Sequence, residues 1–594
     1  MNRFATQRYA TVFLAVVCVY YHLHLIFTGL IPNLISRPIH LALALPWVFI
    51  IGTKGGMVKR ISGSLLCAFG IYGCLYIALN RNTLVEQYGF IEGAQQYVLG
   101  VGLILIVLEM ARRAIKLALP TVAVIALAYG LFGQYLPGEF GHPEIPVGSF
   151  LGTLVIAEGG IWGPLTGVSV NVVAIFVILG AFIGAGEGGS AFMALATKLA
   201  GRFRAGAAKV SVLSSAFFGS ISGSASANVA STGAVTLPAM KRLGYPASFA
   251  AAVEAVASSG GQIMPPLMGA GAFVMMELLR LNYTDIMAAA ILPATLFFFA
   301  AWIGVDLFAR RYGLGAMKKE EIPSGRVVFR LAPFFLIPFS LLLAVLFFTS
   351  YTPQFAAGLA VFAAAGLLIV NERLEFSVSM MGARFIDACL HAADQIAMIA
   401  SIIICAGLII GVLNMTGLGV KVTSIILGLA GGKLWIALLL TAVACLILGM
   451  EVPTTAAYVI CVSVAGPALQ DLGLPPLHAH LFIFWYALLS TITPPVCGTV
   501  FIAAGMAETS WVPVAGQSMR LGLGLYFVPL AFVANPCLLH PGISPLLALL
   551  AFGKVAAGLW LLSKSLIGEY SLVIRPLLFA AGLAVIFVMG ISVA

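Results

Sequence analysis

The sequence predicts an all-α polytopic membrane protein: an inverted repeat carrying two re-entrant hairpins and two broken helices, preceded by an N-terminal four-helix unit. Three observations carry this prediction. Of 594 residues, 61% are hydrophobic and 9% charged, with a mean hydropathy of +1.08, whereas soluble domains carry about 25% charged residues. Two apolar stretches are interrupted by small polar residues, at Ser220-Ile-Ser222-Gly223-Ser224-Ala-Ser226-Ala-Asn228 and at Ser258-Ser259-Gly260-Gly261-Gln262 ahead of Pro265-Pro266. Unpaired backbone groups in hydrocarbon cost several kcal/mol, so such breaks survive only where protein, water or an ion satisfies them. The third observation is a second copy 229 residues further on.

In that copy Leu243-Gly-Tyr-Pro246 returns as Leu472-Gly-Leu-Pro475, and Gln262-Ile-Met-Pro-Pro266 as Thr491-Ile-Thr-Pro-Pro495. The connection Lys241-Arg242 becomes Gln470-Asp471. Short cytoplasmic loops are rich in Lys and Arg, so the first connection is expected inside and the second outside, which makes the repeat inverted. Close packing of small residues would account for a single break. Two breaks in oppositely oriented halves point instead to a midplane binding site.

The net charge of +10 does not indicate a nucleic-acid partner, because the basic residues are scattered at the ends of apolar runs, where membrane topology and surrounding lipid account for them. The nine Cys occur singly and read as packed thiols. Neither GxxxxGK[ST] nor HExxH is present, and the eight His are dispersed, so neither an enzyme nor a cofactor is expected.

Taken in order, Arg3 and Arg8 precede an apolar run over 10–30. It is too long for a signal sequence and lacks a small-x-small cleavage site, so it reads as a retained helix with its N-terminus inside. Spans over 40–52, 62–79 and 97–110 complete a four-helix unit, 1–116, whose basic loops (Lys54, Lys59 and Arg60; Arg112, Arg113 and Lys116) fall on one side. Residues 117–148 form a connecting helix and an external loop. The large unit, 149–540, opens with an interfacial segment over 149–166 and a span over 168–186. A hairpin over 209–240 is expected to tip near Ser226, each arm of about 15 residues being too short for a core that needs ~20.

The helix over 247–277 is expected to unwind from Ser258 to Pro266. Glu254, one turn earlier, reads equally as a functional carboxylate and as a helix-capping or interhelical hydrogen-bond partner. Spans over 286–309, 331–349 and 354–370 follow, then an interfacial arm over 374–394 and a span over 395–413. The second hairpin, 434–470, tips at Gly449-Met-Glu451-Val-Pro453-Thr454-Thr455, and the second broken helix, 478–507, carries Ser490-Thr491-Ile-Thr493-Pro494-Pro495. Glu451 at this tip reads either as a cation or proton group or as a carboxylate in rim water. A span over 521–539 and two additional C-terminal spans in 541–594 complete the chain.

The segments GSISGSASANVASTG, LPAMKRLGYP, AAVEAVASSGGQIMPPLMG, GMEVPTTAAYV and LLSTITPPV resemble the fused membrane subunit of tripartite ATP-independent periplasmic (TRAP) transporters, in which small and large permease subunits share one chain. The resemblance implies an elevator-type transporter in the bacterial inner membrane with its N-terminus cytoplasmic. It also implies a periplasmic substrate-binding protein of the TAXI type, a sodium gradient as the driving force and a small organic acid, such as a C4-dicarboxylate, as the substrate. Carried onto this chain, one sodium site would use Ser222, Ser224, Ser226 and Asn228 with Ser258, Ser259, Gly261 and Gln262. The other would use Thr454 and Thr455 with Ser490, Thr491 and Thr493, and with Glu451, which stands where the family pattern leads one to expect glycine.

Substrate would lie between the tips, against Ser226, Asn228, Gln262, Thr454 and Thr455, with Glu254 and Glu451 as candidate coupling or proton carboxylates. Neither tip contains Arg or Lys, so an anion would rest on hydroxyls, amides and helix N-termini. The alternative is a binding-protein-independent or proton-coupled carboxylate symporter of the same architecture.

Overall fold

The computed structural model describes residues 2–29, 31–53, 56–115, 117–449, 452–495 and 497–588. Ten of the described helices are long and apolar enough to cross a membrane. Four lie in the N-terminal region: α1 (Asn2–Phe27), α2 (Asn33–Pro46, prolonged by a π-turn to Ile51), α3 (Met57–Leu79) and α4 (Gly93–Ile115). Then come α5 (Ala118–Phe132), α6 (Pro164–Ala185, with a π-turn at Ser169–Val173) and α7 (Gly188–Ala200).

The N-terminal helices are bound to α6 by polar contacts that apolar packing alone would not specify. Arg37 on α2 donates to the Trp162 carbonyl and, at 3.2 Å, to Glu158, which also accepts from Asn33 at 2.8 Å. A chain of buried rings runs from His22 to His40 at 2.8 Å, and His40 meets Ser169 at 3.0 Å. The Arg37 side chain is 9% exposed and Glu158 46%, so solvent can take over the carboxylate but not the Trp162 carbonyl. Arg37→Met is therefore expected to cost about 1–3 kcal/mol, chiefly through that orphaned carbonyl. The readout is a lower melting temperature with faster proteolysis between α1 and α4.

The first hairpin is α8 (Gly206–Ser222) and α9 (Ala225–Arg242), followed by α10 (Ala247–Gly260), α11 (Ala270–Leu279) and the long α12 (Tyr283–Tyr312). Its base is fixed by buried Lys209, 3.0 Å from Asp306 on α12 and over the Trp302 ring. Next come α13 (Pro333–Phe348), α14 (Pro353–Leu367) and α15 (Val378–Thr416). The sequence leads one to expect a break in α15 between an interfacial arm and a span, but the helix is continuous for 39 residues. No Gly or Pro lies between Gly382 and Gly407, and the charge that suggested an arm is absorbed locally: Arg384 pairs with Glu187 and donates to the Val370 carbonyl at 2.8 Å. Further along, Gly407 and Gly411 let α15 approach the backbone at Gly159 and Gly160, where a Cβ would fall 3.0 and 2.6 Å from carbonyl oxygens.

A helix absent from the sequence reading, α16 (Leu418–Ala430), leads to the second hairpin, α17 (Leu434–Leu448) and α18 (Thr454–Asp471). Then follow α19 (Pro476–Leu489), α20 (Gly498–Ala507), α21 (Trp511–Ala534, starting ten residues before the expected span), α22 (Pro545–Ile567) and α23 (Ile574–Phe587). The two copies match in detail: α9 and α18 each have 18 residues, α10 and α19 each 14, and α11 and α20 each 10. Gly244 and Gly473 turn with φ of 80° and 88°, and both gaps contain a cis Pro-Pro bond.

Contacts between the copies give their relative direction. Lys241, at the base of hairpin 1, donates to the Ala507 carbonyl at 3.0 Å and lies 3.7 Å from Glu508. The second broken helix starts beside the base of hairpin 2 and so ends beside the base of hairpin 1. The hairpins therefore enter from opposite faces, with α9 packed on α20 and α11 on α18.

Candidate functional site

A cavity of about 430 Å³ lies where the hairpin tips meet, walled on the far side by α6 and α15. Hairpin 1 tips at Gly223-Ser224, three residues before the expected position, because Gly223 takes φ 61° and ends α8 while Ser224 caps α9 by accepting from Ala227 N at 3.3 Å. Ser226 thus stands in the first turn of α9 and faces the cavity. Asn228 does not: it is buried one turn on, with Nδ2 donating to the carbonyls of Ser215 at 2.9 Å and Ser258 at 3.4 Å. The side chain of Ser222 and all of Glu451 lie outside the described residues.

The first gap also begins later than the sequence suggests. Helix α10 continues through Ser258, Ser259 and Gly260, since serine hydroxyls bonded to groups one turn back are compatible with helix: Ser259 donates to the Ala255 carbonyl at 2.8 Å and Ser258 to Glu254 at 3.2 Å. A 3-10 turn at Gly261–Ile263 leads into the unwound stretch, 264–269, where Tyr283 donates to the carbonyls of Pro266 and Leu267 at 2.7 and 2.6 Å, and Gly269 N donates to the Gln262 carbonyl at 2.8 Å. Protein groups thus satisfy part of this backbone, as burial requires. Gly261 lies against Gly219 so closely that a Cβ on Gly219 would fall 2.4 Å from the Gly261 Cα.

The second gap lies between the end of α19 at Leu489 and the start of α20 at Gly498, and touches the first. Ser259 meets Thr491 at 2.8 Å and Thr499 at 3.3 Å, and Thr499 donates to the Thr491 carbonyl at 2.7 Å. Ser490 donates to the Ala487 carbonyl at 2.7 Å, while Thr493 meets the Tyr526 hydroxyl at 2.9 Å. Of the residues singled out in the sequence, Ser224, Ser226, Gln262, Thr454, Thr455 and Thr491 line the cavity. Sequence reading missed Thr499 and the far wall of Phe176, Gln395, Met398 and Ile402, whose spans carry no polar interruption and come near the tips only through the tertiary fold.

Glu254 sits apart from the cavity, fully buried. Its carboxylate accepts from Ser211 at 2.7 Å and Ser215 at 3.3 Å on α8, from Thr232 and Thr236 on α9, and from Ser258 on its own helix. Five hydroxyls on three helices thus converge on one carboxylate. The arrangement could have been read from the i, i+4 spacing of Ser211 with Ser215 and of Thr232 with Thr236, which puts each pair on one helix face. In hairpin 2 the positions 229 residues on are Ile483, Cys461, Ala465 and Ala487, with Leu440 and Ala444 on the outward arm, next to Thr441 and Cys445. Cys445 contacts Cys461, and the buried Thr441 hydroxyl has no partner among the described residues.

A polytopic helical body in which two opposed hairpins and two broken helices close on a single polar-tipped cavity is the architecture of a transporter permease. The family described as "Tripartite ATP-independent periplasmic transporter, DctM component" matches residues 103–547, and the chain belongs to that family.

Helices α1 to α3 lie before the matched region. The isethionate TRAP transporter permease protein DctMQ of Oleidesulfovibrio alaskensis is 26% identical over 345 residues, which is 57% of this chain and 52% of that protein, so the chain spans about half the length of this relative. The C4-dicarboxylate TRAP transporter large permease protein DctM of Pseudomonas aeruginosa is 25% identical over 365 residues, 61% of this chain and 82% of that one. The 2,3-diketo-L-gulonate TRAP transporter large permease protein YiaN of Escherichia coli is 24% identical over 384 residues, 62% and 85% of the two chains.

Proposed function

We propose that this protein takes up a small organic acid across the bacterial inner membrane by secondary transport, receiving it from a periplasmic substrate-binding protein, of the TAXI type, and drawing on a sodium gradient. The observation that carries the reading is the cavity at the meeting of the two tips, which is lined by the first turns of four helices, α9, α11, α18 and α20. Helix N-termini favour anions, and carbonyls and hydroxyls of unwound segments favour a cation. Relatives named for isethionate, C4-dicarboxylates and diketogulonate support an organic anion as cargo.

In this reading residues 1–116 act as the small-subunit unit and 117–148 as its connector to the large unit, 149–540. The hairpins and broken helices move as an elevator against α6 and α15, and the N-terminus faces the cytoplasm. The two spans in 541–594 extend the large unit. Sodium would be held by the tip and gap oxygens, with Ser224 and Ser226 facing the first gap and Thr454 and Thr455 facing Thr491. Proton coupling through the buried Glu254 is the second reading, favoured by its isolation from any cationic side chain in its hydrogen-bonded shell.

The test is the melting temperature of the purified full chain in sodium chloride and in potassium chloride at equal ionic strength, repeated with Ser226→Ala and Thr455→Ala, whose hydroxyls make no hydrogen bond among the described residues. A ligand at a hundred times its dissociation constant stabilises by about 2.7 kcal/mol. Sodium-specific stabilisation, weakened by either substitution, is the expected result. Equal melting in the two salts, with a dependence on pH that Glu254→Gln removes, would replace sodium by protons.

A further inference from the structure

We propose that the cavity selects a singly charged carboxylate carrying one neutral hydroxyl or keto group and an apolar remainder, in preference to a dicarboxylate, with Thr454 and Gln262 as the discriminating side chains. The inference rests on the reading of this cavity as the substrate site. None of the described residues lining it is charged, so an anion must be met by backbone and neutral donors.

The four helix N-termini at the cavity are not equivalent. On α9, the Ser224 side chain already accepts from Ala227 N. On α20, the first-turn Thr499 N–H is bonded to the Thr491 carbonyl at 3.2 Å. Helix α18 follows Pro453 and, like α11, has no side-chain cap; its first backbone bond is the one from Ala457 N to the Pro453 carbonyl at 2.9 Å, and unlike α11, which opens Ala270-Gly271-Ala272, its first turn carries hydroxyls. The N–H groups of Thr454, Thr455 and Ala456 precede that bond. Beside them the Thr454 hydroxyl, in a residue 8% exposed, has no hydrogen-bond partner among the described residues. Among the described residues, this first turn on an 18-residue helix and its unpartnered hydroxyl form one carboxylate subsite.

A second unpartnered group lines the same cavity. Gln262 is 7% exposed, and its carboxamide makes no hydrogen bond among the described residues. It precedes the entrance of α11 and shares the lining with Leu267, Met268 and Phe273. Its Nε2 can donate to a hydroxyl or to a keto oxygen, and a hydroxyl can also donate to Oε1. A second carboxylate would bring a full negative charge into the same surroundings, where no described lining residue is cationic to offset it. The remaining wall, Phe176, Met398 and Ile402, suits an alkyl or aryl body.

The experiment measures thermal stabilisation of the purified full chain, in sodium chloride at fixed ionic strength, by 2-oxopentanoate and by 2-oxoglutarate, which differ only in replacing the terminal methyl by a carboxylate; pentanoate reports on the keto group. Half-maximal stabilisation by 2-oxopentanoate is expected at a concentration at least tenfold below that for 2-oxoglutarate. Gln262→Leu should bring 2-oxopentanoate to the level of pentanoate, and Thr454→Val should abolish the response to all three. Gln262→Glu, which keeps the shape of the side chain, should abolish the response as well and stands in if the leucine variant does not fold. Stronger stabilisation by 2-oxoglutarate, or no change with either Gln262 variant, overturns the inference while leaving organic-acid transport intact. No response to any of the acids overturns both.

Discussion

Glu254→Leu is expected to abolish transport and to lower unfolding stability by about 3–5 kcal/mol, since up to five buried hydroxyls lose their acceptor at about 1 kcal/mol or more each. The loss stays below the full sum because Thr232 and Thr236 retain bonds to the carbonyls of Asn228 and Thr232, at 2.7 and 3.0 Å. Glu254→Gln keeps the shape and one acceptor oxygen, and the hydroxyls can rotate to accept from the new amide, so a cost of roughly 1–2 kcal/mol is expected. The comparison is made by thermal unfolding of the three purified proteins. A leucine variant that melts with the parent protein would mean that the carboxylate does not join α8, α9 and α10.

Gly219→Val is expected to be as damaging by a different route. The added Cβ would stand 2.4 Å from the Gly261 Cα and 2.6 Å from Asn228 Nδ2. Main chain cannot rotate aside as a flexible side chain can, so α8 must separate from the first gap. Overpacking of this kind costs about 1–3 kcal/mol or more, and it would displace the tip from the cavity. The control is Gly184→Ala on α6, where a Cβ meets nothing within 4 Å and the helix should gain up to about 1 kcal/mol. Uptake lost in the first variant and retained in the second is the expected pattern. Normal uptake by Gly219→Val would show that this contact is not needed in the transport cycle.

The repeat was legible in the sequence because its punctuation survives at constant spacing: the Gly-x-Pro connections and the paired prolines mark backbone conformations that other residues adopt poorly. The helical body and most spans followed from hydropathy alone. The tip of hairpin 1 is displaced because the six small residues between Ser220 and Ser226, interrupted by Ile221, are nearly equivalent in composition, and only the positive φ of Gly223 decides among them. The first gap was anticipated early because Ser258-Ser259 resembles a break, although both hydroxyls bond within α10. The far wall of the cavity was illegible, since Phe176, Met398 and Ile402 sit in unbroken apolar helices where nothing distinguishes a wall residue from one facing lipid. Glu254 was noticed as costly, but its five donors lie on three helices that sequence alone does not bring together.

The difference between the interiors of the two hairpins has a mechanical meaning. Hydrogen bonds are directional and lose their strength within a fraction of an ångström or a few tens of degrees, so the hydroxyl shell of Glu254 keys hairpin 1 to α10 in one register. Around Ile483, Ala465 and Ala487 the side chains are apolar, and α18 is joined to α19 by a different bond, between the Tyr458 hydroxyl and His480 at 2.8 Å. Two copies of one backbone plan are thus fastened differently, the first by five hydroxyls gathered on one carboxyl group and the second by a phenol–imidazole bond.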